Sequence, residues 1–328
     1  MRHWAYWTKY YPILFEEEAE MLEIVSRLWT ATGARRNDAL GKQKPVPVQS
    51  KLEELDTRWV DVDGIKTRYV VTGDGEPVIL IHGFGEFLEV WWLNMKTLGE
   101  QYRVYALDLP GHGLTDKPDV DYTLSFYIRF IHDFMQTIEI THAHLVGHSI
   151  GAALSLGMAI DYPDKVDRLV LVDTVSLSND ISLLYRLCTL PFLGEIIVGP
   201  TMKSSLRYGM KRAFYNPDLI SDEMVEKNYE LMKMPETKRA MLRMIRSNIG
   251  LNGPRSVFKL TDKLVQVKSP ALFIQGERDS VVQLDDVRNA CRLVPDARLK
   301  VFSECGHCPY IEKAAEFNEE ALKFLDAK

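Results

Sequence analysis

One pentapeptide, Gly147-His148-Ser149-Ile150-Gly151, constrains the fold of this chain more than any other stretch. The apolar run at residues 144–146 precedes it and is typical of a buried strand, while the apolar segment 152–160 follows it and is typical of a buried helix. A G-x-S-x-G pattern between a strand and a helix predicts a nucleophile elbow, which holds its serine in a strained conformation at the strand end. Glycine is expected on both sides because a Cβ atom there would collide with a neighbouring strand or helix.

Strands and helices alternate along most of the chain. The most N-terminal strands, residues 59–62 and 66–71, are polar and flank the turn Asp63-Gly64, so we expect an antiparallel hairpin at one edge. The alternation predicts an α/β fold with a mainly parallel sheet of about eight strands, covered by helices on both faces. Six further apolar strands are predicted at residues 77–81, 103–107, 144–146, 166–172, 271–274 and 298–302.

The alternation stops between residues 175 and 253, which are predicted to be helical with no strand between the helices. We therefore expect a helical insertion at 175–253 in a core made of residues 51–174 and 254–328. Residues 1–50 are predicted to form a helical arm and linker that packs on the core or on a second subunit, and that mediates homo-oligomerisation. Attachment of this arm to a membrane surface is the alternative, but its acidic polar face counts against it, because interfacial helices usually carry Lys and Arg there.

Charge and apolar content exclude several classes of function. The 40 basic and 46 acidic residues give a net charge of −6, spread along the chain, unlike the clustered basic surface of a nucleic-acid-binding protein. No apolar run reaches the length of a membrane span, and we expect no signal peptide. Four cysteines in 328 residues do not indicate a disulfide scaffold. We expect this protein to be cytoplasmic, to act on a small molecule and to have no nucleic-acid partner.

A serine hydroxyl becomes a useful nucleophile only when a histidine takes its proton, and that histidine needs a carboxylate to fix its tautomer. Asp279 follows the strand at 271–274, and His307 follows the strand at 298–302. The carboxyl ends of parallel strands lie at one edge of a sheet, where ligands bind, so both are expected beside Ser149. Asp173, directly after an earlier strand, is the reserve candidate for the acid.

Cleavage by a serine also needs hydrogen-bond donors for the oxyanion of the tetrahedral intermediate. One expected donor is the backbone N–H of Ile150, the residue after the nucleophile. The other is the backbone N–H of Phe84, in the loop His82-Gly83-Phe84-Gly85 that follows the strand at 77–81.

With these residues, the chain resembles the α/β-hydrolase superfamily in its form with a helical lid, over about residues 59–325. The resemblance rests on the elbow, on His82-Gly83-Phe84-Gly85, on Asp108-Leu109-Pro110-Gly111-His112-Gly113, and on Asp279 and His307 in that order. It implies that the helical insertion is the lid of the family and that the loop beginning at Asp108 has a structural role.

Serine at the elbow narrows the chemistry that the resemblance implies. Related haloalkane dehalogenases and epoxide hydrolases carry an aspartate there, so Ser149 indicates cleavage of an ester, thioester or lactone. Carbon–carbon bond hydrolases of the meta-cleavage-product type are similar, but they usually have a first oxyanion loop richer in Gly and Ser than Gly83-Phe84-Gly85-Glu86. We expect a carboxylesterase with a hydrophobic substrate. The alternatives are a carbon–carbon hydrolase, acyl transfer or perhydrolysis at the same site, and a ligand receptor or scaffold without activity.

Substrate preference is expected to come from the helical insertion. Seven of the twelve methionines lie there, and flexible methionine side chains favour an adaptable apolar pocket. Met202, Met210 and Met232 are the candidates for its lining. The alternative is that these side chains only bury the insertion on the core.

Cys305-Gly306-His307-Cys308 is a C-x-x-C motif, which leaves dithiol chemistry or a regulatory oxidation open. A thioredoxin-like domain would place the motif early and continue after it, whereas only 20 residues follow Cys308 (328 − 308). The expected role of both cysteines is therefore packing around His307. No pair of histidines has convincing metal-ligand spacing, so neither a metal nor another cofactor is expected.

Overall fold

A large β-sheet organises the protein in a computed structural model, which describes residues 56–199 and 202–327. The predicted arm, residues 1–50, lies outside the described residues. The described strands are β1 (Asp56–Val62), β2 (Ile65–Thr72), β3 (Pro77–Ile81), β4 (Arg103–Leu107), β5 (Ala143–His148), β6 (Val166–Val172), β7 (Ile249–Gly250), β8 (Gly253–Pro254), β9 (Ala271–Gly276) and β10 (Ala297–Phe302).

Eight of these strands form one sheet in the order β1-β2-β4-β3-β5-β6-β9-β10. The β1–β2 and β2–β4 pairs are antiparallel, and every other neighbouring pair in this sheet is parallel. Most of β1 is exposed, as expected for a polar strand at the edge. The predicted fold, a mainly parallel sheet of eight strands with an antiparallel edge, is confirmed.

Helices cover both faces of this sheet, and β3 shows how the two cores arise. Ile79 and Ile81 belong to one apolar cluster, and Val78 and Leu80 belong to the other, because successive side chains of a strand point to opposite faces. The described helices are α1 (Trp92–Leu98), α2 (Leu124–Thr137), α3 (Ile150–Asp161), α4 (Leu183–Leu187), α5 (Leu193–Val198), α6 (Lys203–Ala213), α7 (Asp222–Met232), α8 (Pro235–Asn248), α9 (Leu284–Leu293), α10 (Pro309–Glu312) and α11 (Ala314–Leu325).

Helices α4 to α8 lie between β6 and β9, within the predicted helical insertion. The expectation of helices alone was wrong in one detail, because β7 and β8 pair there as antiparallel strands of two residues each. The sequence also predicts one closing helix over residues 312–325. The structure divides it, since Lys313 has φ −129° and ψ 41°, outside the helical region. Within the ranges that the structure describes, no helix is both long enough and apolar enough to cross a bilayer.

Candidate active site

Strand β5 and helix α3 meet at Ser149, whose backbone has φ +53° and ψ −112°. Its N–H donates to the carbonyl of Val172, at the end of the neighbouring strand, over 2.8 Å. A Cβ atom at Gly147 would lie less than 3.0 Å from the backbone of Gly151, and one at Gly151 would lie as close to the carbonyl oxygen of Ile81. The sharp turn expected from the pentapeptide is present, and only glycine fits on both sides of its serine.

Asp279 and His307 lie beside each other, beyond the carboxyl ends of β9 and β10. Asp279 Oδ2 is 2.8 Å from His307 Nδ1, and Asp279 Oδ1 accepts the backbone N–H groups of Val281 and Val282 at 2.7 and 3.2 Å. Burial raises the pKa of Asp279, but His307 and these N–H groups outweigh it and hold that pKa below its usual value. Asp279 is therefore an ionised carboxylate that keeps a proton on His307 Nδ1 and leaves Nε2 to accept another.

His307 and Ser149 are both buried, each with 7% of its surface exposed. Burial lowers the pKa of His307, but the Asp279 carboxylate more than offsets this effect and raises the pKa to about 9. The neutral imidazole, which is the form that can act as a base, is therefore favoured at alkaline pH.

Asp173, the reserve candidate for the acid, does not pair with His307. Its Oδ1 accepts the N–H of Gly276 at 2.9 Å and so joins the ends of β6 and β9. Its Oδ2 has no hydrogen-bond partner among the described residues. Burial and the neighbouring Asp279 carboxylate raise the pKa of Asp173 well above its usual value. These surroundings favour the neutral form of Asp173, while Asp279 contacts the imidazole.

One expected oxyanion donor, Phe84, lies in the loop after β3, and the other, Ile150, is the first residue of α3. The carbonyl oxygens of Ile81 and His82, where the loop after β3 begins, face Gly151 in the first turn of α3. In the part of the chain that the structure describes, neither the Phe84 N–H nor the Ile150 N–H donates to a protein acceptor. Both groups are available to a bound oxyanion, and their role as donors stays a prediction.

Two further residues, Glu86 and Tyr310, connect the loops of the site, and the sequence did not indicate either. Glu86 Oε2 accepts the N–H of Gly83 at 2.6 Å and lies 2.9 Å from His148 Nδ1. The Tyr310 hydroxyl donates to Glu86 Oε1 at 2.9 Å, and His148 Nε2 lies 2.7 Å from the carbonyl oxygen of His307. Burial raises the pKa of Glu86, but His148 and the Gly83 N–H lower it to about 2. This carboxylate therefore ties the oxyanion loop to the elbow, and His148 ties the elbow to the His307 loop.

The loop that begins at Asp108 has the structural role that the resemblance implied. Asp108 Oδ1 accepts the N–H of Leu88 at 2.8 Å, and its Oδ2 accepts that of Leu114 at 2.9 Å. The N–H of Leu109 donates to His82 Nε2 at 3.0 Å. These bonds fasten the Asp108 loop to the oxyanion loop.

Side chains of the helical insertion cover the oxyanion loop. The rings of Tyr185 and Phe84 meet edge to face, with their centroids 6.0 Å apart. Met241 Cε packs on Gly85, where it would lie 3.1 Å from an added Cβ atom. Met232 and Gly85 both line a cavity of about 10 Å³, which is the size of one water molecule.

The three methionines predicted to line the pocket lie in different places. Met232 lines the small cavity at the oxyanion loop. Met202 precedes α6 on the surface, with 41% of its area exposed, and Met210 packs against the core cluster that contains Phe214. The methionine content of the insertion predicted an apolar pocket there, but it did not show which methionine side chains would line that pocket. Met241 was among the seven methionines of the insertion and was not selected.

Cys305 and Cys308 are buried and do not form a disulfide. Burial raises the pKa of both thiols well above the usual value. Because the thiolate is the reactive form of cysteine, this environment disfavours dithiol exchange.

Donor atoms of His148, Asp173 and His307 lie within 4.8 Å of one another, as do those of Glu86, His148 and Cys308. A metal ion at either group would have to displace a hydrogen bond of His148, because both of its ring nitrogens already have partners.

Comparisons with known proteins give consistent results. Residues 76–187 match a family model described as the alpha/beta hydrolase fold. A 2-hydroxy-6-oxo-6-(2'-aminophenyl)hexa-2,4-dienoic acid hydrolase of Metapseudomonas resinovorans is 31% identical over 278 residues, which are 83% of this chain and 91% of that protein. The dihydrolipoyllysine-residue acetyltransferase component of an acetoin cleaving system from Cupriavidus necator is 30% identical over 82% of this chain and 68% of that protein.

Solved structures extend the similarity to the whole core. A serine hydrolase involved in carbazole degradation, CarC, is 27% identical with a TM-score of 0.71, over 84% of this chain and all of that one. A variant of the meta-cleavage product hydrolase CumD is 28% identical with a TM-score of 0.70, over 82% of this chain and 97% of that one.

Proposed function

This chain belongs to the α/β-hydrolase family, and we propose that it is a serine hydrolase that cleaves carboxylic esters through an acyl-enzyme intermediate. Ser149 is the nucleophile, His307 is the general base and acid, and Asp279 orients His307. The observation that carries this proposal is the 2.8 Å contact between Asp279 Oδ2 and His307 Nδ1, at the same edge of the sheet as the strained Ser149.

In the proposed reaction, Ser149 Oγ attacks the ester carbonyl carbon while His307 Nε2 takes the hydroxyl proton. Asp279 stays ionised and stabilises the imidazolium that forms. The N–H groups of Phe84 and Ile150 bind the oxyanion of the tetrahedral intermediate. His307 then protonates the departing alcohol, and a water molecule, activated by the same histidine, hydrolyses the acyl-enzyme.

The surroundings of the oxyanion loop favour a neutral, apolar substrate. Tyr185 and Met241 of the insertion pack against Phe84 and Gly85 of this loop. Three cations of the helical insertion pair with carboxylates: Arg243 with Asp119, Arg246 with Glu195, and Lys227 with Glu89. An anionic substrate would lose hydration beside Tyr185 and Met241, whereas an uncharged ester would lose less.

Hydrolysis of a carbon–carbon bond is the second candidate, and it is favoured by a specific comparison. The relative from Metapseudomonas resinovorans, by its name, hydrolyses a dienoic acid, and this chain covers 91% of it. The same Ser149, His307 and Asp279 would serve that reaction. Its substrate carries a carboxylate, however, which the apolar cover over Gly85 does not favour.

Two parallel measurements separate these candidates. The purified protein is incubated with p-nitrophenyl esters of graded acyl length and, separately, with a 2-hydroxy-6-oxo-dienoate, while a fluorophosphonate labels the nucleophile for mass spectrometry. We expect ester turnover and a single label on Ser149. Labelling with turnover of the dienoate alone would favour the second candidate. A folded sample that neither turns over a substrate nor takes the label would refute both.

A further inference from the structure

The segment at the C-terminal end of α6 in the helical insertion contacts both loops that carry the acid and the base. The hydroxyl of Ser280, next to Asp279, donates to the carbonyl of Arg212 at 2.8 Å. The backbone N–H of His307 donates to the carbonyl of Ala213 at 2.6 Å. We call residues 212–216 the docking segment, because the catalytic base is bonded through its own backbone to this part of the insertion.

Glu312 joins the same two parts of the molecule from the other side. Its Oε2 accepts the N–H groups of Tyr215 and Asn216 at 2.8 and 2.9 Å. Its Oε1 accepts the N–H of Gly306 at 2.8 Å. One carboxylate therefore links the docking segment to the residue before His307, with a backbone donor at each oxygen.

The backbones of the docking segment and the His307 loop also approach each other closely. A Cβ atom at Gly306 would lie less than 3.0 Å from the carbonyl of Ala213 and from the nitrogen of Tyr215. A glycine is needed at Gly306 for this approach. The His307 loop and the docking segment are therefore in direct contact, and Glu312 accepts hydrogen bonds from both of them.

We propose that Glu312 is a positioning residue: it holds the His307 loop in register with the helical insertion, so that the base is correctly placed only when the insertion is seated on the core. This inference rests on the proposed function, in which His307 is the base. Glu312 touches none of the reacting groups and acts through Gly306 and the docking segment. Seating of the insertion over a substrate would then assemble the active site as well as cover it.

Glu312→Gln tests this role with little change in shape. An amide nitrogen in place of either oxygen would face a backbone N–H, so at least one side of the link must open. We expect kcat for p-nitrophenyl esters to fall about 10- to 100-fold, the range associated with a small misplacement of a catalytic group, while KM stays near the wild-type value. Glu319→Gln is the matched control, since it removes the same charge from an exposed position of α11, and it should behave as wild type. Unchanged kcat in Glu312→Gln, or an effect confined to KM, would overturn the proposal.

Glu312→Asp separates positioning from general support of the fold. The shorter side chain keeps the charge but cannot span both partners, so kcat should lie between those of wild type and Glu312→Gln. A fall in kcat no smaller than that of Glu312→Gln would contradict a role for the charged link.

Hydrogen–deuterium exchange gives a readout that does not depend on activity. In Glu312→Gln, exchange should rise together in residues 212–216 and 304–308, and in Glu319→Gln it should rise in neither. A rise in the docking segment alone would show that the His307 loop is held by other contacts, and the coupling would be refuted. If the wild-type protein hydrolyses no ester, the proposed function fails, while this measurement still decides the coupling.

The pH profile supplies a third readout. Burial raises the pKa of Glu312 to about 7, although the backbone N–H groups lower it. The ionisable groups that interact with it are Asp173 and the thiols of Cys305 and Cys308. Protonation would place an O–H against an N–H donor, so kcat of the wild type should fall with an additional proton dependence below about 7. Glu312→Gln should lack that dependence, and its persistence in the variant would contradict the assignment.

Discussion

Ser149 occupies a backbone conformation that L-amino acids rarely adopt, with φ +53° and ψ −112°. Strain of this kind costs on the order of 1–3 kcal/mol and persists only where the surroundings enforce it. Here the surroundings are the Val172 carbonyl, which accepts the Ser149 N–H, and the close contacts at Gly147 and Gly151. The residue with the proposed chemistry is thus also a residue at which the fold is under strain.

Two substitutions of Ser149 separate its chemistry from this strain. Ser149→Ala and Ser149→Gly should both abolish fluorophosphonate labelling and ester turnover. Ser149→Ala keeps the Cβ atom, so its Tm should stay near that of wild type. Ser149→Gly relieves the positive φ and should stabilise the protein by about 1 kcal/mol, measured by thermal and urea unfolding. Retained turnover in either variant would move the nucleophile elsewhere, and equal stabilities would argue against strain.

The His307–Asp279 pair predicts the pH dependence of activity. A histidine in water titrates near 6.5, but the Asp279 carboxylate raises the pKa of His307 to about 9. Because only the neutral imidazole can accept the serine proton, kcat/KM should rise with pH through about 9 and fall below it. Asp279→Asn should lower the rate roughly 10⁴-fold and move the remaining dependence to lower pH, as measured in pH–rate profiles of both proteins. A flat profile would exclude His307 as the base.

At the scale of elements, the turn from β5 into α3 depends on backbone contacts rather than on side chains. Gly151 lies against the carbonyl oxygens of Ile81 and His82, where a Cβ atom has no room. Gly209, in the middle of α6, has nothing within 4 Å of an added Cβ atom. Gly151 is therefore required by packing, whereas Gly209 has no packing role and lowers the stability of its helix.

Alanine at these positions tests that distinction. Gly151→Ala should destabilise the protein by about 3 kcal/mol or more, the upper range for overpacking. Gly209→Ala should stabilise by about 0.8–1 kcal/mol, because glycine is a poor helix former. Both effects are measured by urea unfolding. A tolerated Gly151→Ala would mean that the elbow can relax away from β3.

Most elements of the core could be predicted because each carries its own signal. Strands β3, β4 and β6 are short apolar runs bounded by polar or turn residues, and their predicted bounds agree with the structure. The pair β7–β8 was missed because strands of two residues have no periodicity to detect. The break at Lys313 was missed because residues 312–325 keep a helical pattern across it.

At the scale of the whole molecule, the insertion closes the site. Ser149 has 7% of its surface exposed, and the cavity lined by Met232 and Gly85 is about 10 Å³. Because Ser149 is buried, we expect the insertion to move when a substrate reaches it. Lys227 in α7 forms an ion pair with Glu89 at 3.2 Å, which is one of the contacts that such a movement would break.

Removal of the predicted N-terminal arm, residues 1–50, tests whether the rest of the chain folds and acts without it. The CarC serine hydrolase is covered completely by 84% of this chain, so residues 51–328 should suffice for a folded hydrolase. We expect this shortened chain to keep its ester turnover and cooperative unfolding. If residues 1–50 mediate homo-oligomerisation, the mass measured by light scattering should fall to that of a monomer. An insoluble or inactive product would show that the core requires the arm.

By itself, the sequence determined the α/β fold, the elbow at Ser149, and His307 as the candidate base, with Asp279 and Asp173 as candidates for the acid. These features depend on apolar periodicity and on residues beside strand ends, which are local properties of the chain. Only the tertiary structure decided that Asp279, and not Asp173, faces His307, since both follow parallel strands and differ in the contacts they reach. Only the tertiary structure brought Glu86, Tyr310 and Glu312 to the catalytic loops. Such contacts join residues far apart in the chain, and no local pattern records them.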